Sequence, residues 1–375
     1  MNSQIPTRRP TQQQRSGAPS QRPSVPSASA PSRGRGAMAV VLAVTVILLV
    51  ISLVLLGVAL FVDLSGDEPE PITPTAPSGN ENDTPTPGNN KKPSYATVPS
   101  RSDYLIPNSA SYQTVSGINS RHTILLDMDS YEAVAGLNPD TRICPASMTK
   151  VMTLLVACEN LTSLTDKTTV SAKNVSYREN DLDGASGLSW KGGEVLSVED
   201  LLYLIYFRSD TVACLTMADY ISGGEAAFVE LMNAKAKKLG LKDTHFTNTT
   251  GLLIEGEDYY TTCREMAMIM AYAMDNPLAK KVMMQTGAWY LPKGSPVEYI
   301  RPTWMTERFG GNGSLETVTI KAAKTGWETE PGYCLVSYAE GKNGKSYINV
   351  IVANSVIKKE QSTSDVKAIY KTYAK

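Results

Sequence analysis

Histidine is nearly missing from this chain: of 375 residues only His122 and His245 carry an imidazole. His122 opens the apolar run HTILLDM, and His245 lies in THFTN beside a turn, so neither stands in a catalytic context. A serine hydrolase built on this chain needs a general base other than histidine. Cysteine is scarce and scattered: Cys144, Cys158, Cys214, Cys263 and Cys334 stand singly, without a C-x-x-C pair. Such a set reads as small buried hydrophobes, not as a disulfide framework or a metal site. Net charge is also lacking, since 36 basic and 37 acidic residues leave −1. A balance this close to neutral provides no electrostatic footprint for nucleic acid.

Acidic residues are absent from positions 1–36, which are rich in Gln, Pro, Ser and Arg. A segment of that composition buries too little apolar surface to fold, and a disordered tail is expected there. Residues 37–62 then run without a charge, AMAVVLAVTVILLVISLVLLGVALFV. About 20 apolar residues suffice for a helix to cross a bilayer. The run is too long for a signal-peptide core and no A-x-A site follows it. A buried core helix fails as an alternative, because the sequence on either side offers nothing to bury it. A transmembrane helix is therefore expected at 37–62. Arg8, Arg9, Arg15, Arg22, Arg33 and Arg35 precede it, while Asp63, Asp67 and Glu68 follow. Basic flanks stay cytoplasmic, so the bulk of the chain is expected outside a cell membrane that it crosses once. Residues 63–101, rich in Pro, Thr, Asn and Gly, read as a linker reaching roughly 100 Å at ~3.1 Å per residue.

The length allows two domains at most, or one large domain with appendages. The folded part is expected over 102–375. Strands are predicted at 122–127 and 132–137, joined by a turn at Asp129 and Ser130, and again at 318–325, 332–338 and 346–354. Between them lie helical patterns at 145–159, 201–207, 212–220, 225–239 and 262–274, and another closes the chain at 364–374. Ser197 and Asp200 resemble a capping box ahead of the 201–207 helix. Strands at both ends with a helical middle predict a sheet closed by distant segments, with a helical subdomain inserted between.

Two short motifs can carry chemistry. In Ser147-Met-Thr-Lys150, just after Pro145, positions i and i+3 share a helix face, so Lys150 comes within reach of the Ser147 hydroxyl. A desolvated lysine beside another cation can act as base for a serine nucleophile, and a helix N-terminus favours an oxyanion nearby. Lys324-Thr325-Gly326 ends an alternating strand, and its glycine lets a substrate backbone approach and pair as an added strand. Lys324 is expected to hold Lys150 partly neutral by repulsion and to attract a carboxylate.

The stretch ILLDMDSYEAVAGLNPDTRICPASMTKVMTLLVACEN, with FTNTTGL and KTGWETEPGYCLVSYA, resembles the low-molecular-weight penicillin-binding proteins, the serine-type D-alanyl-D-alanine carboxypeptidases. YFRSDTVACLTMADYISG stands where that family has its central S-x-N motif, and the likeness runs over residues 116–375. The resemblance implies a penicillin-recognising serine hydrolase fold of the α/β class. This is an antiparallel sheet flanked by helices, with an all-helical subdomain and the active site between them. It implies Ser147 as nucleophile, Lys150 as base and Ser209 as proton relay. Lys324, Thr325 and Gly326 then bind the substrate carboxylate and peptide, and the N–H groups of Ser147 and Trp327 form the oxyanion hole. It implies peptidoglycan stem peptides as substrate, β-lactam antibiotics as covalent inhibitors, and no metal or other cofactor.

This sequence departs from the pattern at four points. Thr211 stands at the substrate-contacting position usually held by Asn, and Asn248-Thr-Thr-Gly251 lacks the proline of its block. No arginine follows the last strand, where some members bind the terminal carboxylate; Ser355 falls near that place and Lys358 is the nearest cation. The anchor is N-terminal. These departures leave alternatives beside the carboxypeptidase: an endopeptidase cutting D-Ala crosslinks, or a non-catalytic binding protein for wall peptides. A β-lactamase is disfavoured, since no ExxLN-type segment supplies a deacylating carboxylate.

Overall fold

In the computed structural model the described residues are 112–375, apart from 181–184, 255, 354 and 355. The tail expected at 1–36, the membrane helix at 37–62 and the linker at 63–101 lie outside them. Among the described residues no helix is long and apolar enough to cross a membrane.

The chain enters through a short strand β1 (Gln113–Thr114) and the hairpin β2 (His122–Asp127) and β3 (Ala133–Leu137). Asp127 makes the turn, its Oδ1 accepting from the N–H groups of Asp129 (2.8 Å) and Ser130 (3.2 Å). A 3-10 turn, Ala146–Thr149, leads into α1 (Lys150–Asn160). Residues 150–158 of α1 are all buried, so this helix is enclosed on every side, as a helix apolar all round must be.

A helical region surrounds it: α2 (Ala172–Asn180), α3 (Val198–Phe207), α4 (Thr211–Ser222), α5 (Glu225–Lys238), α6 (Cys263–Asp275) and α7 (Pro277–Met284). Two ribbons, β4 (Lys167–Thr169) with β5 (Val195–Ser197) and β6 (Trp289–Tyr290) with β7 (Tyr299–Ile300), lie along this stretch. The expected capping box at α3 is present: Ser197 Oγ accepts from Asp200 N at 3.1 Å, and Asp200 Oδ2 from Ser197 N at 2.8 Å. After α8 (Thr303–Phe309) the chain returns as β8 (Val318–Glu328), β9 (Gly332–Gly341), β10 (Ser346–Val352) and α9 (Lys359–Tyr373). Helices α2, α7 and α8 and both ribbons were not anticipated from the sequence, and the last helix starts five residues earlier than its apolar pattern.

The sheet order is β1-β3-β2-β10-β9-β8, antiparallel except for the β1–β3 pair. Early and late strands meet where β2 pairs β10, closing the sheet across the inserted helices. Side chains alternate along β10. Ile348, Val350 and Val352 pack on the helical core, while Tyr347 and Ile351 pack with Val366, Ile369 and Tyr370 of α9.

Strand β8 carries the irregularity that matters for function. Val318 and Ile320 face the α9 side, but the register shifts between Ile320 and Ala322, and Ala322 then faces the helical core. One extra residue in a strand reverses the face of everything after it. Lys324, two residues beyond Ala322, is thereby turned towards the helices instead of α9.

Candidate active site

Ser147 lies in the 3-10 turn, one step before the α-helix that the sequence had suggested would begin at Pro145. Lys150 is the first residue of α1, and its Nζ stands 3.2 Å from Ser147 Oγ. The backbone around the serine is strained: Ala146 adopts φ +46°, a left-handed conformation that a residue with a Cβ rarely takes. Tyr259 fixes it, its hydroxyl donating to Ala146 O and hydrogen-bonding Thr149 Oγ1. Lys150 is only 1% exposed, and its Nζ also donates to Thr250 O at 2.6 Å.

That carbonyl is held by the FTNTTGL block. Asn248 Oδ1 accepts from Thr250 N (3.1 Å), Thr250 Oγ1 (2.9 Å) and Gly251 N (2.7 Å). Gly251 has φ +81°, and a Cβ there would lie 2.0 Å from Ala146 O, so only glycine permits the approach. Thr249 is secured by Glu225 Oε1, and Thr153 donates to Thr249 O at 2.7 Å. The block therefore positions the Lys150 amine, a part that the sequence reading had not assigned to it.

The second serine arrives from the loop before α4. Ser209 has φ +54°, and Lys324 Nζ donates to its Oγ at 3.0 Å. The loop is held by buried Asp210, the N-cap of α4, whose carboxylate accepts from Leu188 N, Trp190 Nε1 and Ala213 N. Thr211 does not reach the site. It is fully buried, its N–H donates to Ser186 O, its hydroxyl has no partner among the described residues, and it does not line the cavity. The substrate contact expected at this position is not among the contacts the structure makes available. The cause is that threonine, at the first turn of α4, is directed inward.

Ser147, Lys150, Ser209, Thr325, Gly326 and Trp327 line one open cavity of about 350 Å³. Lys324 is nearly buried beside it, with its Nζ donating to Ser209 Oγ and Thr325 O. Trp327 is half exposed at the rim. Gly326 is pressed against the serine: a Cβ there would meet Cys334 Sγ at 2.6 Å, and Ala146 Cβ and Ser147 N at 3.1 Å. The sequence reading also missed Ser186, Leu252, Glu307, Arg308, Glu328, Tyr333 and Lys359 on the cavity wall. Ser355 lies outside the described residues, and Lys358 does not line the cavity. Besides Lys150, the basic residues that do so are its neighbour Lys359 and Arg308 of α8, so the expectation of Lys358 as the nearest cation is corrected. Both histidines stand away from it, bonded to Asn138 O and Asp258 O. All five cysteines are free and buried, as expected.

Electrostatically the site is two buried lysines. Burial pushes the Lys150 amine below the ordinary lysine value, and buried Lys324 is lowered to about 7, by burial first and by the charge of Lys150 second. Loss of water is the first cause for both amines, and the charge of Lys150 adds to the lowering of Lys324. For Lys150 the physical reason is that α1 is enclosed on all sides. An amine with a depressed pKa, 3.2 Å from a serine hydroxyl, can take its proton.

The family described as D-alanyl-D-alanine carboxypeptidase matches residues 108–355. D-alanyl-D-alanine carboxypeptidase DacF of Bacillus subtilis (strain 168) is 30% identical over 258 residues, which cover 67% of this chain and 61% of that protein. D-alanyl-D-alanine carboxypeptidase DacC of Escherichia coli (strain K12) is 37% identical over 166 residues, covering 43% of this chain and 41% of that one. The match with these curated relatives thus extends over 41% to 61% of their length. Among solved structures, penicillin binding protein 5 from Haemophilus influenzae superposes with a TM-score of 0.57 at 26% identity, covering 68% of this chain and 71% of that one. The fold is the mixed α/β fold of penicillin-binding proteins.

Proposed function

This chain belongs to the D-alanyl-D-alanine carboxypeptidase family, and from that premise we propose that it is a serine-type carboxypeptidase acting on peptidoglycan stem pentapeptides. The observation that carries the reading is the double pairing around one cavity: Ser147 Oγ with Lys150 Nζ at 3.2 Å, and Ser209 Oγ with Lys324 Nζ at 3.0 Å.

In this mechanism neutral Lys150 takes the Ser147 proton while Oγ attacks the carbonyl carbon of the penultimate D-Ala. The N–H groups of Ser147 and Trp327 receive the developing oxyanion, usually the largest electrostatic contribution to such a step. The C–N bond breaks, and the amine of the terminal D-Ala leaves with the proton delivered from Lys150 through Ser209. Water, deprotonated by the same relay, then cleaves the ester, freeing the shortened peptide and restoring Ser147. Protonated Lys324 and the Thr325 hydroxyl hold the substrate carboxylate, and Gly326 leaves room for its backbone along the free edge of β8. A β-lactam follows the first half of this path and stays as the acyl-enzyme. The residues require neither metal nor cofactor for these steps.

The same reading places the catalytic part outside the cell membrane. The charge-free run at 37–62 supports a single-pass anchor, the basic residues of 1–36 a cytoplasmic tail, and the composition of 63–101 a tether towards the wall. Protease treatment of intact and opened cells checks this: the folded part is expected to be cleaved from outside and the tail only after opening.

The test of activity is D-Ala release from a D-Ala-D-Ala pentapeptide by the full chain in detergent, with Ser147→Ala as control and fluorescent penicillin reporting the folded site. Release that vanishes in the variant is expected. Penicillin labelling without release supports a binding protein instead, in keeping with Thr211 in place of Asn. Release only from crosslinked peptides supports an endopeptidase.

A further inference from the structure

Among the described residues two carboxylates line the cavity, Glu307 and Glu328. Glu307 is closed by Lys359 at 2.6 Å. Glu328, the last residue of β8, forms no ion pair among the described residues. The remaining cations of the site are engaged elsewhere. Lys150 Nζ donates to Ser147 Oγ and Thr250 O, and Lys324 Nζ to Ser209 Oγ and Thr325 O. Arg308 Nη1 donates to the hydroxyls of Ser362 and Thr363. Burial raises the Glu328 carboxyl above its ordinary value; the backbone N–H groups of Leu253 and Thr329 and the charge of Lys150 act the other way without overcoming it. A half-buried carboxylate in that condition gains from an added cation, and such groups gather at functional sites.

The direction of β8 decides which part of the substrate meets Glu328. From Ala322 to Glu328 the pairing with β9 is unbroken, so alternate side chains share a face. On that face Lys324 is turned to Ser209, a Cβ on Gly326 would meet Ser147 N at 3.1 Å, and Glu328 follows. A peptide added antiparallel to β8 runs towards its own N-terminus as the strand runs towards Glu328. In the carboxypeptidase reading its terminal carboxylate lies at Lys324 and Thr325, and its scissile carbonyl at the N–H of Trp327. The residue before the penultimate D-Ala therefore comes to Glu328, at about 3.3 Å per residue along the strand.

We propose that Glu328 is a specificity residue, its carboxylate accepting the side-chain ammonium of the stem residue that precedes D-Ala-D-Ala. Crosslinking of stem peptides needs a side-chain amine, so the ligand class is a diamino acid. Its carbon stem can lie along Leu252, also on the cavity wall. The role rests on the carboxypeptidase reading for the identity of the peptide, and it deepens that reading. Acylation of the amine in a crosslink removes its charge, so Glu328 favours stems whose amine is still free.

The experiment compares D-Ala release by the full chain in detergent from Nα-acetyl-L-Lys-D-Ala-D-Ala and from its Nα,Nε-diacetyl form. The ratio of the two kcat/KM values cancels any effect of Glu328 on Lys150, which is common to both peptides. Wild type is expected to favour the free amine by about 5- to 50-fold, between the strength of an exposed ion pair and that of a hydrogen bond to a charged group. Glu328→Gln is expected to bring the ratio close to one, and Glu328→Lys to push it below one. Glu330→Gln removes the same charge two positions on, outside the cavity, and is expected to keep the wild-type ratio. A wild-type ratio near one, a ratio unmoved in both folded Glu328 variants, or an equal fall in Glu330→Gln overturns the proposal. If wild type releases no D-Ala from either peptide, the carboxypeptidase reading falls. Calorimetric Kd values of the two peptides for Ser147→Ala, with and without Glu328→Gln, then decide on Glu328: a preference for the free amine that Glu328→Gln removes upholds the role, and its absence overturns it.

Discussion

Replacing Gly326 by alanine tests how tightly the KTG strand is set against the nucleophile. The new Cβ would stand 2.6 Å from Cys334 Sγ and 3.1 Å from both Ala146 Cβ and Ser147 N. The first distance is a hard overlap, and the other two require the turn carrying Ser147 to give way. Overpacking of this kind costs about 1–3 kcal/mol. For a domain of this size that corresponds to a fall in Tm of roughly 2–10 °C. Activity should suffer more than stability, because the atom pushed aside is the N–H proposed to receive the oxyanion. Displacing one such donor lowers the rate by about 10²–10³. Penicillin acylation followed by stopped flow, beside thermal unfolding, measures both quantities. Cys334→Ala separates them. It removes the sulfur, so the double variant should regain much of the lost Tm, while the contacts to Ala146 and Ser147 keep acylation slow. Acylation at the wild-type rate in Gly326→Ala, or full recovery of rate in the double variant, would refute the argument that the strand presses on the serine.

Three further outcomes are expected. Ser147→Ala should abolish both penicillin labelling and D-Ala release with the unfolding transition preserved, since Ser147 is not part of the core. In pH profiles of kcat/KM, the rising limb should lie below the ordinary lysine value, because burial favours neutral Lys150 and the neutral amine is the proposed base. Above about 7 Lys324 loses its proton, its hold on the carboxylate weakens and kcat/KM should fall; a bound anion raises that pKa, so the falling limb of kcat should lie at higher pH. A profile flat from about pH 5 to 10 would exclude these lysine roles. Asn248→Ala leaves buried N–H groups of Thr250 and Gly251 without their acceptor, at about 1–3 kcal/mol each. It should lower Tm and slow acylation together, because Thr250 O no longer anchors Lys150; a loss of Tm alone would show that the carbonyl does not position the base.

The pairing of Ser147 with Lys150 was legible because it is local, an i to i+3 step that any helical turn brings together. The same holds for the Ser197–Asp200 box that starts α3 and for the alternation along β10. Helix α7 left a signal that went unread, the Asn276-Pro277 start, in which Asn276 Oδ1 accepts from Leu278 and Ala279. Helix α2 left little to read, because only Asn174 and Val175 of its nine residues are buried. The resemblance carried Ser209 and Lys324 into the site, but it also carried Thr211, which the fold turns inward.

Sequence alone determined the elements whose causes lie within one or two turns of chain: the pairing of Ser147 with Lys150, the helix caps, the strand faces and the charge-free run at 37–62. Tertiary structure alone decided the rest. Ser209 and Lys324, 115 positions apart, meet because a bulge in β8 reverses its faces. Lys150 owes its lowered pKa to complete enclosure of α1, and its orientation to a carbonyl 100 positions away. Arg308 of α8 comes to the cavity wall with its Nη1 donating to the hydroxyls of Ser362 and Thr363 in α9, more than 50 positions away. Local patterns follow from backbone geometry and residue type, whereas desolvation and the meeting of distant charges exist only once the chain has closed on itself.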